Sequence, residues 1–195
     1  MNVLVVSAHP NDDSFTARVR DRAIAALRRA GHHVRHTDLY AEGFEPRLSR
    51  AEWLAHRSDP DAKIDVARHA TDLRWARALV FVYPTWWSGP PSILKGWIDR
   101  VWIEGVAYTL PEGSARVRAG LPNIRRLVVI TGHGSARHVN WLEGQTGRLL
   151  VMRSLRALCH PLARRRWLAI YRLDRAGDVE REAFAARVER AMARL

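Results

Sequence analysis

The chain has 195 residues, enough for a full core, and 47% are hydrophobic, which excludes a disordered polymer. No run approaches the ~18 apolar residues of a membrane helix and no charged-then-apolar leader opens the chain, so a cytoplasmic protein not integral to a membrane is expected. The net charge of +12 is nearly all arginine, spread through the helical segments as solvated faces, and such a surface is equally open to nucleic acid, anionic lipid or phosphate-bearing cofactors, while the single Cys159 rules out an intrachain disulfide and a cysteine metal cluster, and no metal is expected.

Residues 3–6 (VLVV) form a short apolar run ending in Ser7, Ala8, His9 and Pro10. NDDSFTARVRDRAIAALRRAG then reads as a helix with Ser14 as N-cap, Phe15, Val19, Ala23, Ala26 and Leu27 as its apolar face, and Gly31 as its stop. Residues 33–37 give a weaker strand, and a short helix is expected at 49–56. Residues 64–75 fit a helix with Ile64, Ala67, Leu73 and Ala76 loosely in phase.

Residues 79–83 (LVFVY) run unbroken into Pro84, the mark of a strand buried on both faces. PTWWSGPP is a stiff aromatic loop, and Ile93, Leu94, Trp97, Ile98 and Val101 recur at helical spacing, with Pro91 placed for a first helical turn. Residues 104–121 read as a hairpin or loop insertion. Residues 127–130 (LVVI) form a fourth strand, ending in Thr131, Gly132, His133, Gly134 and Ser135. A helix interrupted at Gly144 and Gly147 is expected over 142–158, a fifth strand over 167–171, and a closing helix over 179–195 with Phe184, Val188, Ala191 and Leu195 in phase.

Five alternations of strand and helix, with no linker or repeat, make residues 1–195 one α/β domain: a three-layer α/β/α sandwich. A flavodoxin-like, five-stranded parallel sheet of order 2-1-3-4-5 is expected, which gathers the carboxyl ends of the first, third and fourth strands. Those ends are AHPNDDSFT, PTWWSGPP and TGHGS.

The first loop feeds a helix N-terminus, where free N–H groups, Ser14, Thr16 and His9 suit a phosphate, although Asp12 and Asp13 would repel one if turned inward. In the second, one of Trp86 and Trp87 is expected to touch a ligand while the other packs. The third is Gly-rich and lets backbone N–H groups approach a planar polar group. Each alone is an ordinary cap, core aromatic or turn; together they favour a flat, phosphorylated cofactor, a flavin.

AHPNDDSFT, DLYAEGFEP and YPTWWSGPPSILKGWIDRVW followed by GVAYTL resemble the NAD(P)H quinone oxidoreductases of the flavodoxin-like fold. The likeness runs from about residue 3 to 131, with a weaker echo in WLAIYRLD, and KGWIDRV is its most specific part. It implies that His9, Ser14, Phe15 and Thr16 bind phosphate, that Pro84, Thr85, Trp86 and Trp87 face the isoalloxazine, and that Thr131, Gly132 and His133 bond its pyrimidine edge. It implies FAD, with FMN as the alternative, and NADH or NADPH as donor. Hydride would pass to flavin N5 and then, by a ping-pong mechanism, to a quinone or nitroaromatic acceptor. The family's tyrosine and histidine positions fall near His138 and Gly144, so His133 and His138 are the candidate catalytic groups. A homodimer is also implied, with Trp53, Trp102 and Trp141 as candidate interface aromatics.

Two readings stand beside this one. A flavin-binding regulatory subunit of a potassium efflux system would share the fold and cofactor. A basic nucleic-acid-binding domain would use the arginines alone, but no nucleic-acid motif accompanies them, and no nucleic acid is expected as partner.

Overall fold

The structure, a computed structural model, describes residues 1–55, 64–111, 113 and 116–195. Strands β1 (Asn2–Ser7), β2 (His33–Asp38), β3 (Ala78–Pro84), β6 (Arg126–Gly132) and β7 (Arg164–Ile170) form one parallel sheet of order β2-β1-β3-β6-β7. Counted by sheet strands this is 2-1-3-4-5, as expected. The 104–121 insertion contains a minimal antiparallel hairpin, β4 (Tyr108–Thr109) with β5 (Arg118–Ala119).

Helices α1 (Phe15–Arg29) and α7 (Asp178–Ala193) cover one face of the sheet. The other face carries α3 (Ile64–Trp75), α4 (Ser92–Val101) and a π-helical turn, Leu150–Leu155. The short helices α2 (Arg50–Ala55), α5 (Arg137–Leu142) and α6 (Thr146–Leu149) complete the set. Strand β3 divides its side chains between the two cores: Leu79, Phe81 and Tyr83 go to one, and Ala78, Val80 and Val82 to the other. No helix among the described residues is long and apolar enough to cross a membrane.

Several local expectations are corrected. Pro91 is the N-cap of α4 and not its first helical residue, with extended ψ of 152°. In α3 the buried stripe is Val66, Ala70, Leu73 and Ala76, with His69 and Asp72, while Ala67 is exposed. The side chain of Ile64 and the end of the 49–56 helix at His56 lie outside the described residues. The fifth strand begins at Arg164, three residues before the apolar run, because the backbone ladder with β6 continues under an arginine run. The 142–158 helix is broken: Gly144 (φ 80°) and Gln145 (φ 49°) end α5 and start α6. Trp102 is core, not interface.

The KGWIDR segment earns its specificity on α4. A Cβ on Gly96 would lie 2.3 Å from the Pro46 carbonyl oxygen, so only glycine lets the 44–46 backbone cross there. One turn on, the buried Arg100 donates to the Glu45 carbonyl (Nη1, 2.5 Å) and to Glu52 Oε1 (Nε, 2.8 Å), and lies over the Phe44 ring. These contacts anchor the segment from Phe44 to α2 on α4.

Phe44 also meets the buried His69 edge-on at 5.2 Å. Burial first, and then the positive charge of Arg68, pushes the His69 pKa down to about 4, against a smaller opposing pull from Asp72. The folded value lies below the unfolded one, so this stabilisation is complete above about pH 6.5 and is lost as pH falls through about 4. The loss is expected to be roughly 2–3 kcal/mol. In urea unfolding between pH 7 and 4, His69→Gln should therefore show a shallower decline than the parent chain. Gly96→Ala should lower stability by roughly 1–3 kcal/mol, because its clash is with backbone and cannot be relieved by a rotamer change.

Candidate functional site

The loops after β1, β3 and β6 lie side by side because those strands are neighbours in the sheet. Behind β1, Ala8 N–H donates to Val82 O at 3.0 Å and keeps the first loop against β3. Ser14 caps α1, its Oγ accepting from Ala17 N–H at 3.1 Å. The N–H groups of Phe15 and Thr16 have no hydrogen-bond partner among the described residues, and the first turn of α1 holds no carboxylate. The expected difficulty with Asp12 and Asp13 is resolved by Arg20. Its guanidinium takes Asp12 at 3.1 Å and Asp38 at 2.7 Å, and Asp13 is exposed. Asp38 also accepts from the buried Ser7 hydroxyl at 3.0 Å.

His9 Nδ1 accepts from Asn11 N–H at 3.0 Å, which leaves the neutral ring's proton on Nε2. Burial, its largest influence, holds its pKa below the usual histidine value, so His9 offers a neutral donor and not a positive charge at pH 7. Phe15 points away from the loop and packs on Phe184 of α7, with ring centroids 6.1 Å apart.

The aromatic loop is a tight hairpin. Trp86 and Gly89 exchange both backbone hydrogen bonds at 3.0 Å, and the two residues between them have positive φ, Trp87 at 48° and Ser88 at 60°. Left-handed backbone at a tryptophan is strained by about 1–3 kcal/mol and persists only when neighbours enforce it. Here the neighbours are the α5–α6 junction. Ser88 O accepts from Gly147 N–H at 2.9 Å and from Thr146 Oγ1 at 2.8 Å, and the Ser88 hydroxyl donates to Glu143. A Cβ on Gly147 would press to 3.2 Å of Ser88 O and Gly89 Cα. The expectation that one tryptophan packs is corrected: Trp87 is fully exposed at the hairpin tip, and Trp86, also exposed, sits 6.3 Å from the His9 ring.

The third loop is tied to the second. Thr85 N–H donates to Gly132 O at 2.8 Å, and the Thr85 and buried Thr131 hydroxyls meet at 2.8 Å. The glycines of this turn also make room for the residues after β7. A Cβ on Gly132 would lie 2.7 Å from Leu173 Cδ2, and one on Gly134 would lie 2.6 Å from Asp174 Oδ2. They let the chain after β7 close over the turn. The N–H of His133 is spent on Ile170 O at 2.8 Å, whereas those of Gly134 and Ser135 make no hydrogen bond among the described residues.

His133 is buried. Its ring stacks on Tyr171 at 4.7 Å, Nε2 lies 3.4 Å from Thr85 Oγ1, and Nδ1 has no hydrogen-bond partner. Burial holds its pKa below the usual value, against smaller opposing pulls from the Asn140 side chain and Glu143. His138 is exposed on α5 and does not line the same cleft.

That cleft, about 740 Å³, is lined by Thr85, Trp86, Trp87, Ser88, His133, Gly134, Ser135, Asn140, Glu143 and Asp174. Six of these were not singled out as site residues from the sequence: Ser88, Gly134, Ser135, Asn140, Glu143 and Asp174. Only Ser88, inside PTWWSGPP, and Gly134 and Ser135, inside TGHGS, carried a signal. Asn140 and Glu143 reach the site through a helix break, and Asp174 through a turn after β7 that no motif marks.

Comparison with known proteins gives the same frame. The chain is 30% identical to rat NAD(P)H dehydrogenase [quinone] 1 over 165 residues, which cover 76% of this chain and 59% of that one. The chain spans about half the length of the curated relatives it matches. Among solved structures, NAD(P)H:quinone oxidoreductase from Methanothermobacter marburgensis superposes with a TM-score of 0.79 at 29% identity, covering 99% of this chain and 96% of that one. Smu.1420 from Streptococcus mutans UA159 superposes with a TM-score of 0.87 at 26% identity, with both chains fully covered. Residues 1–195 match the Flavodoxin_2 family, described by its flavodoxin-like fold. By sheet order, by the three gathered loops and by this full-length match, the chain belongs to the flavodoxin-like-fold family that includes the NAD(P)H quinone oxidoreductases.

Proposed function

We propose that the chain is a flavin-dependent NAD(P)H oxidoreductase acting on quinones or nitroaromatics. The observation that carries this reading is a pair of unpaired backbone donor sets at the ends of β1 and β6, the two strands that flank β3. Phe15 and Thr16 N–H lie at one end and Gly134 and Ser135 N–H at the other, with the tryptophan hairpin between them. In this reading the α1 N-terminus, with Ser14, Thr16 and the Nε2–H of His9, holds the phosphates. Pro84, Thr85, Trp86 and Trp87 form the wall against the flat ring, and Thr131, Gly132 and His133 border its polar edge with the free N–H groups of Gly134 and Ser135. Phe15 contributes its N–H and not its ring, which Phe184 occupies.

The flavin, when bound, supplies the hydride-accepting and hydride-donating chemistry, and the chain supplies binding, orientation and charge stabilisation. Donor and acceptor use the one cleft in turn, which gives ping-pong order. Neutral His133 borders the cleft with Asn140 beside it, its buried Nδ1 makes no hydrogen bond among the described residues, and Tyr171 stacks on its ring. With the unpaired N–H groups it forms a preorganised polar edge where negative charge develops. The SFT triplet after His9 favours FAD over FMN. Exposed Trp53, Leu54, Trp141 and Leu142 support assembly as a homodimer.

The purified protein should be yellow and release FAD on denaturation, identified by mass, and should oxidise NAD(P)H only with a quinone present, with parallel-line kinetics. A colourless protein that takes up neither FAD nor FMN would refute the reading. Combined Thr131→Val and His133→Ala should slow cofactor reduction in stopped flow by about 10²-fold, the scale of losing a preorganised donor, while His138→Ala leaves it unchanged. Gly147→Ala should release the strained hairpin. Its signature is a raised KM for the acceptor and altered tryptophan fluorescence, with thermal stability lowered by only a few degrees.

A further inference from the structure

The opposite end of the sheet holds a feature that the redox reading leaves unused. Two contiguous clefts, about 460 and 480 Å³, share Arg126 and Arg164. Between them they are lined by Arg77, Arg125, Arg126, Arg164, Arg165, Arg166 and Arg194, together with Met1, Leu162 and Leu195. The ladder sets Arg126 beside Arg164, while Arg165 turns to the opposite face of the sheet and reaches Met152 O. Arg126 pairs in register with Arg164, Arg125 N–H donates to Arg77 O, and Arg164 N–H donates to Arg125 O.

Neighbouring strands lie about 4.8 Å apart, so like charges sit within repulsive range of one another. Six arginines elsewhere make ion pairs with carboxylates: Arg20, Arg22, Arg35, Arg47, Arg68 and Arg100. Here none of the seven makes an ion pair with an aspartate or glutamate among the described residues. Three donate to carbonyl-type oxygens: Arg126 to Leu195, Arg165 to Met152 and Arg166 to Ala191. Arg77, Arg125, Arg164 and Arg194 have no side-chain hydrogen bond or ion pair among the described residues.

We infer that this groove binds a ligand bearing two or more linked phosphates, at a site about 20 Å along β6 from the redox cleft. Planar guanidinium groups bind phosphate oxygens in pairs, and linked phosphates present successive charges to successive strands. No aromatic side chain lines the groove, so there is no platform for stacking a base, and the phosphate chain is what is recognised. A free polyphosphate and the phosphate tail of a nucleotide both carry that chemistry.

The test is calorimetric titration of the full chain at 0.15 M salt with tripolyphosphate, ATP, orthophosphate and a short DNA duplex. Saturable one-site binding of tripolyphosphate is expected, at least 10-fold tighter than orthophosphate, with ATP within a few-fold. A nucleotide source would instead appear as ATP exceeding tripolyphosphate by 10-fold or more, and would retain the site while overturning recognition by phosphate alone. Arg125→Ala combined with Arg164→Ala removes two exposed, unpartnered side chains, and should weaken tripolyphosphate by 10-fold or more without altering the unfolding temperature. Loss of a single exposed arginine at the far end, Arg137→Ala, should change nothing, and so should Ser14→Ala at the α1 N-terminus. Absence of saturable binding, binding of duplex alone, equal affinity for orthophosphate, or a loss in Ser14→Ala but not in the double variant would each overturn the proposal.

Discussion

From Ala78 through Tyr83, β3 has no solvent exposure, and its backbone bonds are shared between β1 and β6. Burial on both faces favours apolar side chains along its length, because an unpaired polar group there is left without water or partner, as the Tyr83 hydroxyl at its end is among the described residues. Polar function is thereby pushed to the strand's end. With β1 and β6 as neighbours, the chain must turn at three adjacent points, and those turns hold the exposed tryptophans and the unpaired N–H groups. The position of the site is thus a consequence of satisfying one buried strand.

Within that frame, two distant segments are held by single points of contact on helices. Arg100 and Gly96 fix the segment after Phe44 to α4, one by a charge-assisted bond to a buried carbonyl and one by having no side chain. Gly147 and Glu143 hold the tryptophan hairpin from α5 and α6 in the same two ways. In both cases a glycine on a helix accepts another segment's backbone, and a charged side chain a turn away receives or supplies the hydrogen bond that locks it. The strain at Trp87 and Ser88 is sustained from outside the loop, so the loop's shape is a property of the helix break at Gly144.

Strand periodicity and loop composition carried most of the fold. The apolar runs at 3–6, 79–83 and 127–130 marked the three central strands, because burial on both faces leaves no ambiguity of period. The edge strand β7 was harder: its first three residues are arginines, two of them with heads bound to carbonyls, which suit a strand end but break an apolar pattern. At the site, Ser14, Thr131 and the tryptophan loop were legible from local chemistry. The burial of His133 and the engagement of Phe15 with Phe184 were not, since both depend on the β7–α7 region meeting loops more than thirty residues away in sequence. The neutralisation of Asp12 was hidden too, since it depends on Arg20 being recruited by Asp38 from the neighbouring strand β2.

Strand β7 closes one side of the sheet and pairs only with β6, so its outer rim of backbone groups is the place where another chain's strand would add on. Arg187 donates to the Ala169 carbonyl at 2.6 Å and Arg165 reaches across to Met152 O at 2.7 Å, so long cationic side chains lie along the strand from both flanking layers. A second copy approaching edge to edge would set its own arginine run opposite this one. The strand that begins with three arginines therefore resists intermolecular sheet growth, and gives the chain protection against aggregation at the edge its topology leaves open.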